Sequence, residues 1–304
     1  MTSAALPPPP SSDDDVPRWI ADLGLPGLVD VHVHFLPERV LRKVWAYFDD
    51  ARTHYGMDWP IQYRTPEADR IATLEKLGVL RFAPLVYPHK PGMGAWLTEW
   101  AAEFAAATPA AVRTATLYAE PGVEEYLGAA VEGGARAVKV HVQVGAFDPR
   151  DPLLDGAWGL LAEAGVPVIV HCGHGPIPGE HTGLDVFGEV LGRHPRLTAV
   201  LAHAGMPDFL AALDLVHRHE NVHLDTTMVG TPYAEAFAPL PPDWPARLAG
   251  IPGRVVLGSD FPNIPYPYAE QLRAIADWAA ADDRLGEPFL RDVLHDAGAR
   301  LLRL

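Results

Sequence analysis

The stretch Leu28-Val-Asp-Val-His-Val-His-Phe35 alternates apolar and polar residues with a period of two, so it reads as a β-strand with His32 and His34 on one side of it. An isolated His-x-His of this kind reads equally well as polar alternation on a half-exposed strand. What decides between the two is that the pattern recurs. Val166-Pro-Val-Ile-Val-His171, Leu197-Thr-Ala-Val-Leu-Ala-His203 and Arg254-Val-Val-Leu-Gly-Ser-Asp260 are also short apolar runs ended by one polar residue. Further runs occur at Leu80–Val86, Val112–Tyr118, Ala135–Val144 and Val222–Asp225, which makes eight candidate strands. Helical stretches separate them, the clearest being Pro207–His219 with Phe209, Leu213 and Val216 on one face. Strand and helix in alternation predict a parallel sheet, and eight such units close most simply into a (β/α)8 TIM barrel of the α/β class.

The rest of the chain fits around that barrel. At 304 residues, 48% hydrophobic and 21% charged, it is long enough for one large core, and we expect a single domain over residues 16–304. MTSAALPPPPSSDDD, residues 1–15, has too little apolar surface to order itself and is expected to be a disordered tail. Two insertions interrupt the alternation, Asp49–Pro66 and Thr231–Pro245, and both are expected over the C-terminal mouth of the barrel. A final helix, Glu287–Leu304, is expected to pack on the outside.

With 24 Lys+Arg against 39 Asp+Glu the formal charge is −15, and no basic run is present. A nucleic acid or an anionic membrane is therefore disfavoured as partner, and a small molecule is expected. The one cysteine, Cys172, has no intramolecular disulfide partner. There is no secretory leader pattern and no run near the ~18 apolar residues of a membrane span, so a cytoplasmic location is expected.

A barrel gathers strand ends into one place, so His32, His34, His171, His203 and Asp260 should meet at the mouth. His171 or His203 taken singly is more often a satisfied core residue. A carboxylate such as Asp260 costs several kcal/mol to bury unless paired or bound to metal. The five together point to a metal site. Lys139 and His141 share a face of the fourth strand and are candidate substrate contacts, although Lys139 serves equally well as partner to a nearby carboxylate. His174 is a candidate substrate contact on the loop after the fifth strand. Asp30 and Asp225 could orient a ligand imidazole, and Cys172 is expected to pack away from the mouth.

In these motifs the sequence resembles the amidohydrolase superfamily, in the branch that includes aminocarboxymuconate-semialdehyde decarboxylase. The matching segments are Asp30-Val-His-Val-His34 with Pro37, Gly134-Ala-Arg-Ala-Val-Lys-Val-His141, Val170-His171, Ala202-His203-Ala-Gly-Met-Pro207, Asn221-Val-His-Leu-Asp225 and Leu257-Gly-Ser-Asp-Phe-Pro262. The resemblance implies one divalent ion on His32, His34 and His171, with Asp260 as fourth ligand or partner of the bound water, and His203 as general acid/base. Zinc is the first choice for an imidazole-rich shell, with manganese or iron fitting the same ligands. A carbamylated Lys139 bridging two ions, with His203 in the metal shell, is the superfamily's other arrangement. The motifs do not fix a reaction; the leading expectation is hydrolysis of an ester, lactone or amide by metal-activated water, with Asp260 and His203 moving protons. Decarboxylation of an unsaturated or aromatic acid is the alternative. It would be favoured by a cation for the substrate carboxylate, for which Arg39, Arg52, Arg64 and Lys139 are candidates. The motif Ala-Gly-Met-Pro after His203 lacks the second glycine or Gly-Glu of several decarboxylases. A non-catalytic binding barrel is the third reading. Tyr47, Phe48, Tyr55, Trp59 and Tyr63, with Phe261, Tyr266 and Tyr268, could wall an aromatic pocket. The resemblance makes a homodimer reasonable.

Overall fold

The structure, a computed structural model, describes residues 6–304. Eight strands run in chain order: β1 (Leu28–Val33), β2 (Val79–Pro84), β3 (Thr114–Thr116), β4 (Ala137–His141), β5 (Val168–His171), β6 (Ala199–Leu201), β7 (Val222–Asp225) and β8 (Val255–Val256). Each lies within or overlaps a predicted run. β1 and β2 form one parallel pair, and β3 to β8 form a six-stranded parallel sheet in sequence order. Main-chain hydrogen bonds cross both gaps between the sheets. Phe82 N–H donates to Ala110 O (3.0 Å) and Val112 N–H to Phe82 O (2.8 Å), while His34 N–H donates to Phe261 O (2.6 Å) and Asp260 N–H to His32 O (2.8 Å). Helices fall between the strands, which is the TIM-barrel arrangement.

Two predicted strands stop short because the chain turns sharply at the mouth. After β4, Val142–Gly145 forms a helical turn whose N-cap is His141, with its Nδ1 accepting from Val144 N–H. After β6, Ala202–Gly205 is a tight turn with His203 and Ala204 at φ 55° and 48°. Asp260 also has a positive φ, 64°. Left-handed backbone is uncommon outside glycine and costs about 1 kcal/mol or more per residue. Here it falls on two of the residues expected to carry the chemistry.

Below the mouth, Val29, Ala83, Ile169, Val200 and Val256 belong to one buried cluster. Side chains from five different strands can share a cluster only inside the ring, so the barrel interior is packed. Ala297 and Leu302 belong to the same cluster. The C-terminal helix, expected on the outside, therefore closes the floor of the barrel, with Gly298 against Val29 near the start of β1. Burying an aliphatic side chain this way is worth roughly 1.5–3 kcal/mol. This helix widens to a π turn at Asp292–Asp296, and Val293 O accepts from Leu257 N–H beside β8 (3.0 Å).

Both insertions lie over the mouth and touch. In the first, helices Glu38–Asp49 and Ala51–Tyr55 lead into Trp59, whose ring packs on Phe48 (5.3 Å between centroids) and whose Nε1 donates to Asn263 O (2.6 Å). In the second, Tyr233 meets Trp59 edge-on (5.3 Å) and donates from its hydroxyl to Asp58 O (2.6 Å).

The expected tail, residues 1–15, is held at its end. Asp13 accepts from the Tyr63 hydroxyl and from Ala269 N–H (2.9 Å), in the first turn of the helix Tyr268–Ala281 that follows β8. Asp15 accepts from Ser12 (3.0 Å), and Lys76 reaches Asp14 (2.6 Å). The aspartates that make this stretch look disordered supply the acceptors that fix it; residues 1–5 lie outside the described residues. Among the described residues no helix is long and apolar enough to cross a membrane.

Candidate metal centre

Strand alternation and two outside acceptors set the orientation of the first two imidazoles. Asp225 Oδ2, at the end of β7, accepts from His32 Nδ1 (2.8 Å), and Leu85 O accepts from His34 Nδ1 (2.9 Å). An oxygen of a carbonyl or carboxylate can only accept, so both Nδ1 atoms carry the proton and both Nε2 atoms present lone pairs. Those Nε2 atoms lie 3.2 Å apart, and Asp260 Oδ1 is 2.8 Å from that of His34 and 3.4 Å from that of His32. Two nitrogen lone pairs and a carboxylate oxygen converging in a buried space repel one another unless a cation lies between them. The donor set therefore fits a divalent metal ion.

His171 stands one ring away from this trio. Its Nε2 donates to Gly175 O (2.9 Å), which leaves Nδ1 as the nitrogen with a free lone pair. Its ring stacks on His141 (4.1 Å) and meets His203 edge-on (4.8 Å). His203 in turn meets His32 (5.4 Å), and its buried Nδ1 has no partner among the described residues. Asp225, unused in the expected ligand set, organises both sides of the site. Its Oδ1 accepts from His203 N–H (2.7 Å) and Thr227 N–H (3.1 Å) while Oδ2 holds His32. The signal for it in the sequence was a lone carboxylate ending an apolar strand. Thr227 Oγ1, 3.2 Å from His32 Nδ1, had no such signal.

Burial dominates the electrostatics. It pushes His32 and His141 well below the ordinary imidazole range, His171 to about 3, and His203 down as well. Burial also pushes the Asp260 carboxyl up, but the surrounding imidazoles, His34 foremost, outweigh it and hold Asp260 below the usual carboxylate range. Lys139, fully buried on β4, has its Nζ 3.0 Å from His32 Nε2, and burial brings its ammonium down to about 8 against the pull of Asp225 and Asp260. Asp30 accepts from Ser259 (2.5 Å), Tyr268 (2.8 Å) and His32 N–H (3.0 Å), so it ties β1 to β8 and the helix beyond. Cys172 packs in the core, its thiol raised to about 12 by burial.

Above the centre opens a cavity of about 520 Å³. Its lining brings together His32, His34, His171, His203, Asp260, Lys139 and His141. It does not include His174, whose Nδ1 is 2.6 Å from Asp208 Oδ2, so that residue links the loops after β5 and β6. Nor does it include the three arginines considered for a substrate carboxylate. Arg52 pairs with Asp58 and Arg64 with Asp49, both at the surface, and Arg39 is exposed. Tyr47, Phe48, Tyr55 and Trp59 wall the cavity, whereas Tyr63, Phe261, Tyr266 and Tyr268 are core. Tyr87, which faces His34 and His141, was missed, because nothing periodic marks the loop after β2.

A barrel with imidazoles and a carboxylate at the C-terminal ends of its strands defines the class of metal-dependent TIM-barrel proteins. Residues 29–304 match the family model described as Amidohydrolase, and the chain belongs to that family. No curated protein matches the sequence. Among solved structures, an uncharacterized TIM-barrel protein from Bordetella bronchiseptica is 17% identical, with TM-score 0.67 over 91% of this chain and 98% of that one. The 5-carboxyvanillate decarboxylase of Novosphingobium aromaticivorans, in complex with manganese and 4-hydroxy-3-methoxy-5-nitrobenzoic acid, is 15% identical, with TM-score 0.61 over 91% and 96%. The dihydroorotase of Campylobacter jejuni is 14% identical, with TM-score 0.54 over 91% and 83%. These likenesses concern the fold. The structures of like fold thus include both a decarboxylase and a dihydroorotase.

Proposed function

We infer that the protein is a metal-dependent hydrolase acting on an ester, lactone or amide bond of a small, partly apolar molecule. The observation that carries this reading is the pairing of two proton carriers at one floor. Asp260 is held ionised, and His203 is held neutral with a nitrogen free of any partner among the described residues. Hydrolysis needs both, one group to take a proton from the attacking water and a neutral base to pick that proton up and relay it to the leaving group.

His32, His34 and Asp260 would hold one divalent ion, with His171 Nδ1 as a further ligand. Such an ion supplies positive charge that polarises a carbonyl oxygen and acidifies water. Zinc suits the imidazoles best, and manganese or iron suits them too. Asp260 accepts the water's proton at its carboxylate. His203, with its backbone N–H fixed by Asp225, takes that proton at its free ring nitrogen and passes it to the leaving oxygen or nitrogen. His141 accepts from Val144 N–H through Nδ1, so its neutral ring carries the proton on Nε2 and can donate to a substrate oxygen. The aromatic walls exclude bulk water from the floor.

Decarboxylation of an unsaturated or aromatic acid is the second reading, favoured by the buried amine of Lys139 beside His32, a cation for a carboxylate at the floor. The experiment is to incubate the metal-reconstituted protein with esters, lactones, amides and aromatic or unsaturated acids and to follow product masses. Gain of one water supports hydrolysis. Loss of carbon dioxide sinks it.

A further inference from the structure

Along the depth of the cavity the chemistry changes in a fixed order. The floor holds the imidazoles and Asp260, and Asp260 is the sole carboxylate among the described lining residues. The waist is aromatic. Two polar residues of the lining are exposed and so mark the mouth: Lys43, on the helix Glu38–Asp49, and His89, in the loop after β2, with Lys90 next to it. Burial, with the charges of Lys90 and Lys43, holds His89 below the ordinary histidine range, and Lys43 and His89 line the same cavity.

This cluster runs against the charge of the chain. The molecule carries −15 overall. Among the described residues, Lys43, His89 and Lys90 have no carboxylate within ion-pair distance, although Lys76 and arginines elsewhere at the surface are paired. Like charges left unpaired beside one another cost energy without a ligand and repay it with an anion. An anionic substrate approaching so acidic a protein is repelled at long range, and a cationic mouth offsets that locally.

We propose that Lys43 and His89 form a subsite for an anionic group at the distal end of the substrate, so that the substrate is an apolar or aromatic molecule with its scissile bond at the floor and a carboxylate at the mouth. One ammonium and one mainly neutral imidazole match a carboxylate, with one charge and two acceptor oxygens, better than a doubly charged phosphate. The subsite rests on the hydrolytic reading for the position of the scissile bond, but its charge preference does not.

The test compares phenylhexanoate with phenylhexanamide by titration calorimetry on the metal-loaded full chain, so that no turnover is needed. The carboxylate is expected to bind about fivefold tighter than the amide at low salt, with the preference shrinking at high salt. Lys43→Met should bring the two ligands to parity, and Lys43→Glu should reverse their order. Lys43 is exposed, so neither variant removes core packing. Equal binding of both ligands to the wild type would overturn the proposal. So would a preference that survives Lys43→Met and vanishes in His34→Ala, because the carboxylate would then be sitting at the floor. If the charge preference holds and no ester, lactone or amide is hydrolysed, the hydrolytic reading fails while the subsite stands.

Discussion

Asp225→Asn isolates what one carboxylate does for the metal centre at nearly constant shape. In the native site both Asp225 oxygens accept: Oδ1 from the backbone of His203 and Thr227, and Oδ2 from His32 Nδ1 at 2.8 Å. Asparagine has a single side-chain oxygen. If that oxygen keeps the two backbone donors, its NH2 faces His32 Nδ1, which must then give up its proton to accept. The proton moves to Nε2, the atom whose lone pair faces His34 and Asp260. The ligand set loses one donor without losing a side chain. Replacing such an outer partner of a ligating histidine typically weakens metal binding about 10- to 100-fold, or about 1.4–2.8 kcal/mol. Competition against a chromogenic chelator reads this directly, with circular dichroism to verify the fold. If the Asp225→Asn protein binds the ion as tightly as the wild type, the idea that Asp225 sets the His32 tautomer is refuted.

The wild type is expected to retain about one divalent ion per chain by elemental analysis, and His34→Ala to lose it; two ions would point instead to a carbamylated Lys139. His203→Asn should retain the ion and lower turnover of an identified substrate about 10²- to 10⁴-fold, and unchanged turnover would remove its acid/base role. His223, largely buried on β7 with an unpartnered Nδ1, is held at about 4 by burial and by Arg254 and Arg300. The unfolded chain takes up this proton first, near 6.5. Stability is therefore full above that pH and falls as pH drops toward 4, by at most about 3 kcal/mol. His223→Gln should flatten the wild type's loss of stability in denaturant melts across that window, and parallel curves would exclude this residue as a source. Asp13→Ala should cost about 0.5–2 kcal/mol, read as a lower melting temperature, because it removes the acceptor for Ala269 N–H.

The barrel and most of the centre were legible because they depend on local periodicity. A strand's period of two puts His32 and His34 on one side, and a barrel brings strand ends together, so His171, His203 and Asp260 follow from the order of runs. Side chains on loops obey no such period. His174 looked like a substrate contact from its place after β5, yet Asp208, 34 residues further along the chain, turns it aside. Arg52 and Arg64 looked available for a carboxylate until surface aspartates were seen to engage them.

Short-range alternation of apolar and polar side chains is written into the chain, and it was enough to settle the fold class, the number of strands and the residues at their ends. It could not settle which nitrogen of each imidazole is free, that Asp225 commands both His32 and His203, that the last helix closes the barrel floor, or that Lys43 and His89 line one cavity. Each of these depends on hydrogen bonds, burial or charge between residues distant in the chain, and such contacts exist only once the barrel has formed.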